Sequence, residues 1–144
     1  MNPKPRLRPS VCREELARDL LGPVVYAAVA PMTAGCKFVK VGYSEGLLSR
    51  MRSVQTGCPV PIAEVSYVRV FSADQARNIE SAIHLLMAEF RSSGEWFKFD
   101  LSSPRDLKAW RSAIPAVLNE AVGKGRWNLK TFNYSKAVGI RRAA

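Results

Sequence analysis

The chain reads as an α+β domain, because short β-type runs alternate with stretches whose apolar residues recur at helical spacing. Three observations predict it. The runs Val24-Val25-Tyr26-Ala27-Ala28-Val29-Ala30 and Phe38-Val39-Lys40-Val41-Gly42-Tyr43 are short, apolar and valine-rich, and the turn-like PMTAG follows the first. Leu47, Leu48, Met51 and Val54, and later Ile79, Ile83, Leu86 and Phe90, fall at helical spacing. With 144 residues and 47% hydrophobic content, there is material for one core and little room for two independent domains.

The elements follow in order. The first ten residues hold three prolines and three basic side chains, which predicts an extended, solvated arm. Residues 11–21 read as a short amphipathic helix stopped by Gly22-Pro23. The two valine-rich runs then make an antiparallel hairpin, and LLSRMRSVQ makes a helix that ends near Gly57, with Pro59 and Pro61 beyond it. From Ile62 to Phe71 the residues are again β-type, with Val65, Tyr67 and Val68 marking a third strand. Ser72-Ala73-Asp74-Gln75 has the Ser-x-x-Gln form of a capping box and opens a helix expected to reach Arg91 and to end by Gly94. Glu95-Trp96-Phe97-Lys98-Phe99 is a short aromatic strand. Ser103-Pro104 opens a last helix, which Pro115 should kink or divide.

From Gly123 to Ala144 there are six basic residues and no acidic ones, interleaved with Trp127, Phe132 and Tyr134. The expected organisation is a basic arm and short helix over 1–23, a domain over 24–122 and a basic tail over 123–144.

Lys and Arg number 22 against 12 Asp and Glu, a net charge of +10 and a pI near 10.0, which favours a polyanionic partner, nucleic acid first. No run approaches the roughly 20 apolar residues that span a bilayer, and MNPKPRLRPS lacks the apolar core of a signal peptide. The expectation is a soluble cytoplasmic protein of a bacterial or phage-infected cell, with no membrane partner and no secretion. Three cysteines with a single histidine suggest neither a disulfide framework nor a zinc knuckle, and no local signature supports a Cys-His nucleophilic pair with His84.

Several residues have the chemistry for a site. Glu80 and His84 share a helix face beside the apolar stripe, where a carboxylate can hold a hard cation such as Mg²⁺ with only one or two protein ligands. Taken alone, such a pair is also an ordinary solvated feature. Lys40 alternates with Val39 and Val41, and Tyr26 is central in the preceding strand. If the hairpin brings them together, the ammonium lowers the phenol pKa and eases its use as a general base; otherwise Tyr26 is core and Lys40 points outward. Arg50, off the apolar stripe of its helix, can fork onto a phosphate or simply face solvent.

The order VVYAAVA, FVKVGYS, SRMRSVQTGCPVPI, IESAIHLLMAEF, GEWFKF resembles the phage-associated branch of the GIY-YIG nuclease superfamily, whose members carry VKIGxS, RLxxLQTG, ExxLHxxF and GEWF in this order. The likeness covers roughly residues 24 to 100. It implies a small central antiparallel sheet of three strands flanked by helices, and metal-dependent hydrolysis of DNA. The first motif tyrosine falls on Tyr26, and Lys40 stands where the second motif has tyrosine. The resemblance makes Glu80 the ligand of Mg²⁺ or Mn²⁺, Tyr26 the general base aided by Lys40, and Arg50 the residue on the phosphate. His84 matches the family histidine, which either touches phosphate or water or packs against Trp96. The family's late asparagine has no clear counterpart. Arg52, Lys124, Arg126 and Lys130 are expected to contact the nucleic acid. The alternative is a catalytically idle DNA-binding or protein-interaction module on the same fold, and a protein partner or homodimer stays open.

Overall fold

In β1 (Leu21–Pro31), Val24 to Ala30 are buried without a break, the pattern of a strand covered on both faces. The computed structural model describes residues 21–31, 35–58 and 60–134. The expected arm and helix lie outside these, except that Leu21 is already strand, and so do Cys12 and the basic residues beyond 134. Gly22-Pro23, expected to stop a helix, sits in an irregularity of β1, with Gly22 at φ 118°.

β1 pairs antiparallel with β2 (Cys36–Gly46), Tyr26 opposite Gly42 and Ala28 opposite Lys40. On its other side β1 pairs with β3 (Glu64–Arg69), Tyr26 opposite Tyr67. These are the three strands expected to make up the sheet, but the sheet is larger, and the aromatic strand read over residues 95–99 joins it as well. With β4 (Arg91–Ser93), β5 (Trp96–Asp100) and β6 (Lys130–Asn133), the described residues form one six-stranded sheet, ordered β4-β5-β2-β1-β3-β6. Both edges of the inner three strands carry unpaired backbone groups that further strands satisfy. β6 comes from the stretch expected as a basic tail: Phe132 and Tyr134 are buried, and Ser66 and Thr131 share a 2.8 Å hydroxyl contact.

Helix α1 (Leu47–Thr56) buries Leu47, Met51 and Val54, the expected stripe. Helix α2 (Ala73–Leu86) starts as expected, with Ser72 Oγ accepting from the Gln75 amide at 3.1 Å. The Gln75 side chain reaches back one residue further than in the usual box, accepting from the Phe71 amide at 2.7 Å. The helix stops at Leu86 and tightens into a 3-10 turn, Ala88–Phe90, instead of continuing to Arg91. Met87 takes the buried position and Leu86, expected on the core face, is exposed. Gly94 belongs to the turn between β4 and β5, at φ 57°. Helix α3 (Pro104–Leu118) has Ser103 as N-cap and runs through Pro115 undivided into a π-helical turn, Asn119–Gly123.

The sheet separates two apolar layers. α2 and α3 cover the face bearing Val25, Ala27, Val39, Val41, Phe97 and Phe99. α1 covers the face bearing Val24, Tyr26, Ala28, Val65 and Tyr67.

Candidate functional site

β5 begins at Trp96, opposite Lys40, so β2 continues beyond its partner and, among the described residues, the backbone past Lys40 faces no strand on that side. α2 closes this gap. His84 Nε2 lies 2.7 Å from the Val41 carbonyl oxygen, and because a carbonyl only accepts, Nε2 is the protonated nitrogen of this pair. The imidazole stands edge-on to Phe97, centroids 5.1 Å apart, so it packs on Phe97 and not on Trp96. Its Nε2 is 3.6 Å from Glu80 Oε1, too long for a hydrogen bond.

Tyr26 enters from β1, on the α1 face, with its ring over Gly42. Its hydroxyl is buried and, among the described residues, has no hydrogen-bond partner of good geometry. Burial pushes the phenol above its ordinary pKa. The Arg50 guanidinium, carried toward it by α1, is the cation that opposes this rise, while the Glu95 and Glu80 carboxylates add to it. The half-buried Glu80 carboxyl is itself raised by burial, with Glu95 adding to the rise and His84, Lys40 and Arg50 opposing it.

Lys40 is on the same face as Tyr26 but two residues along β2, and its charge is engaged elsewhere. Its Nζ lies 2.8 Å from Glu95 Oε2, with side-chain exposures of 13% and 46%. The hydrogen bond from Lys40 holds the Glu95 carboxyl below its ordinary value. The sequence reading did not single out Glu95. The available signal was a lone acid between the Gly94 turn and a strand that pairs with the one carrying Lys40.

Two clefts meet at Arg50. One, of about 380 Å³, is lined by Gly42, Tyr43, Ser44, Arg50, Glu80 and Glu95. The other, of about 220 Å³, is lined by Lys40, Arg50, Ser53, Val54, Gly57 and Trp96. The structure therefore brings Arg50, Glu80 and His84 together with the buried Tyr26 beside β2; Tyr26 itself lines neither cleft, and Lys40 lines only the smaller one. Among the described residues no group of three or more His, Cys, Asp and Glu is gathered as for a multidentate metal site.

The four basic residues expected on nucleic acid divide into two sets. Arg52 is exposed on α1 and opposes the burial-raised pKa of Tyr134. Lys130 is exposed on β6 in the cross-strand row Gly42, Tyr26, Tyr67, Lys130, so both belong to the α1 side. Lys124 and Arg126 are exposed in the loop between Val122 and Trp127, which pack against the opposite layer. Among the described residues no helix is long and apolar enough to cross a membrane.

No solved structure matches this chain. Among curated proteins, it is 27% identical over 79 residues to the "Putative KilA-N domain-containing protein 315L" of Invertebrate iridescent virus 6, covering 55% of this chain and 34% of that protein. The chain thus spans about a third of the length of that relative. Residues 24–115, from the first core residue of β1 to Pro115 of α3, match the T5orf172 domain. That span holds more than half of the chain and every element that builds the two clefts, and the chain belongs to the T5orf172 domain family.

Proposed function

We propose that the chain is a metal-dependent DNA endonuclease of the GIY-YIG type. The observation that carries this reading is the convergence of a buried phenol, a guanidinium and a half-buried carboxylate beside the part of β2 that, among the described residues, no strand covers. A solvated surface would not collect a buried tyrosine hydroxyl and a carboxyl raised by burial, both of which cost stability. Membership of a phage-associated, nuclease-related family and the net charge of +10 support the same reading.

The residues present fit a hard divalent cation. Glu80 is half-buried and repelled by Glu95 across one cleft, a donor set whose burial and mutual repulsion a cation relieves. Glu80 would hold Mg²⁺ or Mn²⁺, with Glu95 on the same wall. A bound cation supplies Lewis-acid stabilisation to the phosphate. The hydrolysis forms one P–O bond from a water oxygen and breaks one P–O bond to a sugar oxygen, which takes a proton from solvent as it leaves. Tyr26 Oη takes the water proton, which requires the phenolate, and Arg50 favours that form while its guanidinium also faces the negative charge that develops on the phosphate. His84 orients α2 by its bond to the Val41 carbonyl, and so sets the position of Glu80 one turn earlier. Lys40 holds Glu95 in place.

The test is cleavage of supercoiled plasmid with Mg²⁺ or Mn²⁺, beside EDTA and a Glu80→Ala control. The expected result is metal-dependent nicking, lost in Glu80→Ala while salt-sensitive DNA binding persists. Binding without nicking in the wild-type chain would overturn the enzyme reading in favour of a DNA-binding module.

A further inference from the structure

The smaller cleft lies on the far side of Arg50 from Glu80, and hydrolysis as described makes no use of it. Its walls differ from those of the first. Trp96 opens β5 directly opposite Lys40, and its half-buried indole packs against the apolar layer that contains Tyr26. Lys40 Nζ stands 5.9 Å from the centroid of that ring. The other wall is α1: Val54 contributes apolar surface and Ser53 a hydroxyl, and the helix ends at Gly57. At Gly57 the nearest atom to a built Cβ is the Val54 carbonyl oxygen at 3.9 Å, so this part of the wall is open.

An indole, an aliphatic patch, a hydroxyl and the Arg50 guanidinium in one recess, beside a lysine already bonded to Glu95, match the parts of a nucleotide: a flat apolar base and an anionic phosphate. At about 220 Å³ the recess has room for one base. Arg50 lines both clefts, so a strand whose phosphate meets Arg50 on the Glu80 side presents its neighbouring nucleotide to Trp96. We propose that this cleft is a nucleotide subsite that takes one unstacked base beside the phosphate to be cut, packed on the exposed part of Trp96. The assignment rests on the endonuclease reading and names its substrate class, DNA with an unpaired nucleotide next to the cleavage point. A fully paired duplex would have to extrude that base, at the expense of stacking and pairing.

The experiment measures binding in EDTA, where no cleavage occurs. A labelled 12-nucleotide oligothymidylate and a 12-base-pair blunt duplex are titrated into the full chain, Trp96→Leu and Trp96→Phe, following anisotropy and tryptophan emission. The expected result is tighter binding of the single strand, quenching in the wild-type chain greater than in Trp96→Phe, which keeps Trp110 and Trp127, and single-strand affinity roughly tenfold weaker in Trp96→Leu but restored toward wild type in Trp96→Phe. Circular dichroism identifies a variant that has lost its fold, in which case the quenching difference between wild type and Trp96→Phe decides. Saturating oligonucleotide that leaves Trp96 emission unchanged, equal affinity of Trp96→Leu and wild type, or no binding at all would overturn the subsite. Quenching in a chain that fails the plasmid test would retain the subsite and reject hydrolysis.

Discussion

The ring of Tyr26 lies directly over Gly42, its partner across the β1–β2 ladder: a Cβ at position 42 would collide with the phenolic oxygen and stand 2.6 Å from Cζ and 2.9 Å from Cε2. Glycine is required here by space and not by backbone angle. The absence of a side chain on β2 lets the phenol cross toward the free edge, where Arg50 and Glu80 are. In Gly42→Ala the ring must move, and the expected outcome is a loss of about 1–3 kcal/mol in stability together with most of the nicking activity. In a Tyr26→Ala background the same change should cost much less, and the difference between the two costs, measured by denaturant unfolding, isolates the contact.

Tyr26→Phe should separate stability from function. The hydroxyl is buried without a partner of good geometry, so its removal should leave stability unchanged or raise it by about 1 kcal/mol. Nicking should fall at least about a hundredfold, as for loss of a general base. The pH dependence follows in sign. The folded phenol is raised above its ordinary value, so above the unfolded tyrosine pKa the folded chain holds more protons and stability declines as pH rises. Thermal unfolding from pH 9 to 11 should show a shallower decline in Tyr26→Phe.

The cation acting on Tyr26 is Arg50, and this reverses the simplest expectation for Lys40. A difference titration near 295 nm between wild type and Tyr26→Phe reports the Tyr26 midpoint. Arg50→Gln should move that midpoint upward, because the opposing charge is gone. Lys40→Met should leave it in place, because the ammonium is bonded to Glu95. The same substitution should cost less than about 1 kcal/mol, since the Glu95 left behind is nearly half exposed. A rise of the midpoint in Lys40→Met equal to that in Arg50→Gln would return Lys40 to the role of assisting cation.

Ser72→Ala serves as a stability change remote from the site. It removes the acceptor of the Gln75 amide at the start of α2 and should cost about 1 kcal/mol, read as a lower Tm. Nicking per folded molecule at a temperature well below the transition should stay near wild type, because Glu80 lies two turns further along the helix.

Much of the fold is legible in local patterns. The run of seven buried residues in β1 is a continuous apolar segment in the sequence, as a strand covered on both faces must be. The stripe of α1 and the caps at Ser72 and Ser103 depend on residues within one turn of each other, and each forms near its expected place. The boundary at Leu86 was not legible, because Leu86 and Met87 are equally apolar and only the tightening of the chain into a 3-10 turn decides which of them is buried.

The sequence by itself determined the residue types and the order in which Tyr26, Arg50, Glu80 and His84 arrive, because strand and helix periods follow from local spacing. It also determined that a glycine and a tyrosine would be available for a hairpin. Register was decided only in the tertiary structure: a shift of one residue would turn Tyr26 to the other face, and the observed pairing sets it opposite Gly42 and leaves Lys40 to Glu95. β6 was likewise decided by assembly. Lys130, Thr131, Phe132 and Asn133 read as part of a basic tail until β3 offers an unpaired edge and the α1 layer offers Phe132 a place to be buried.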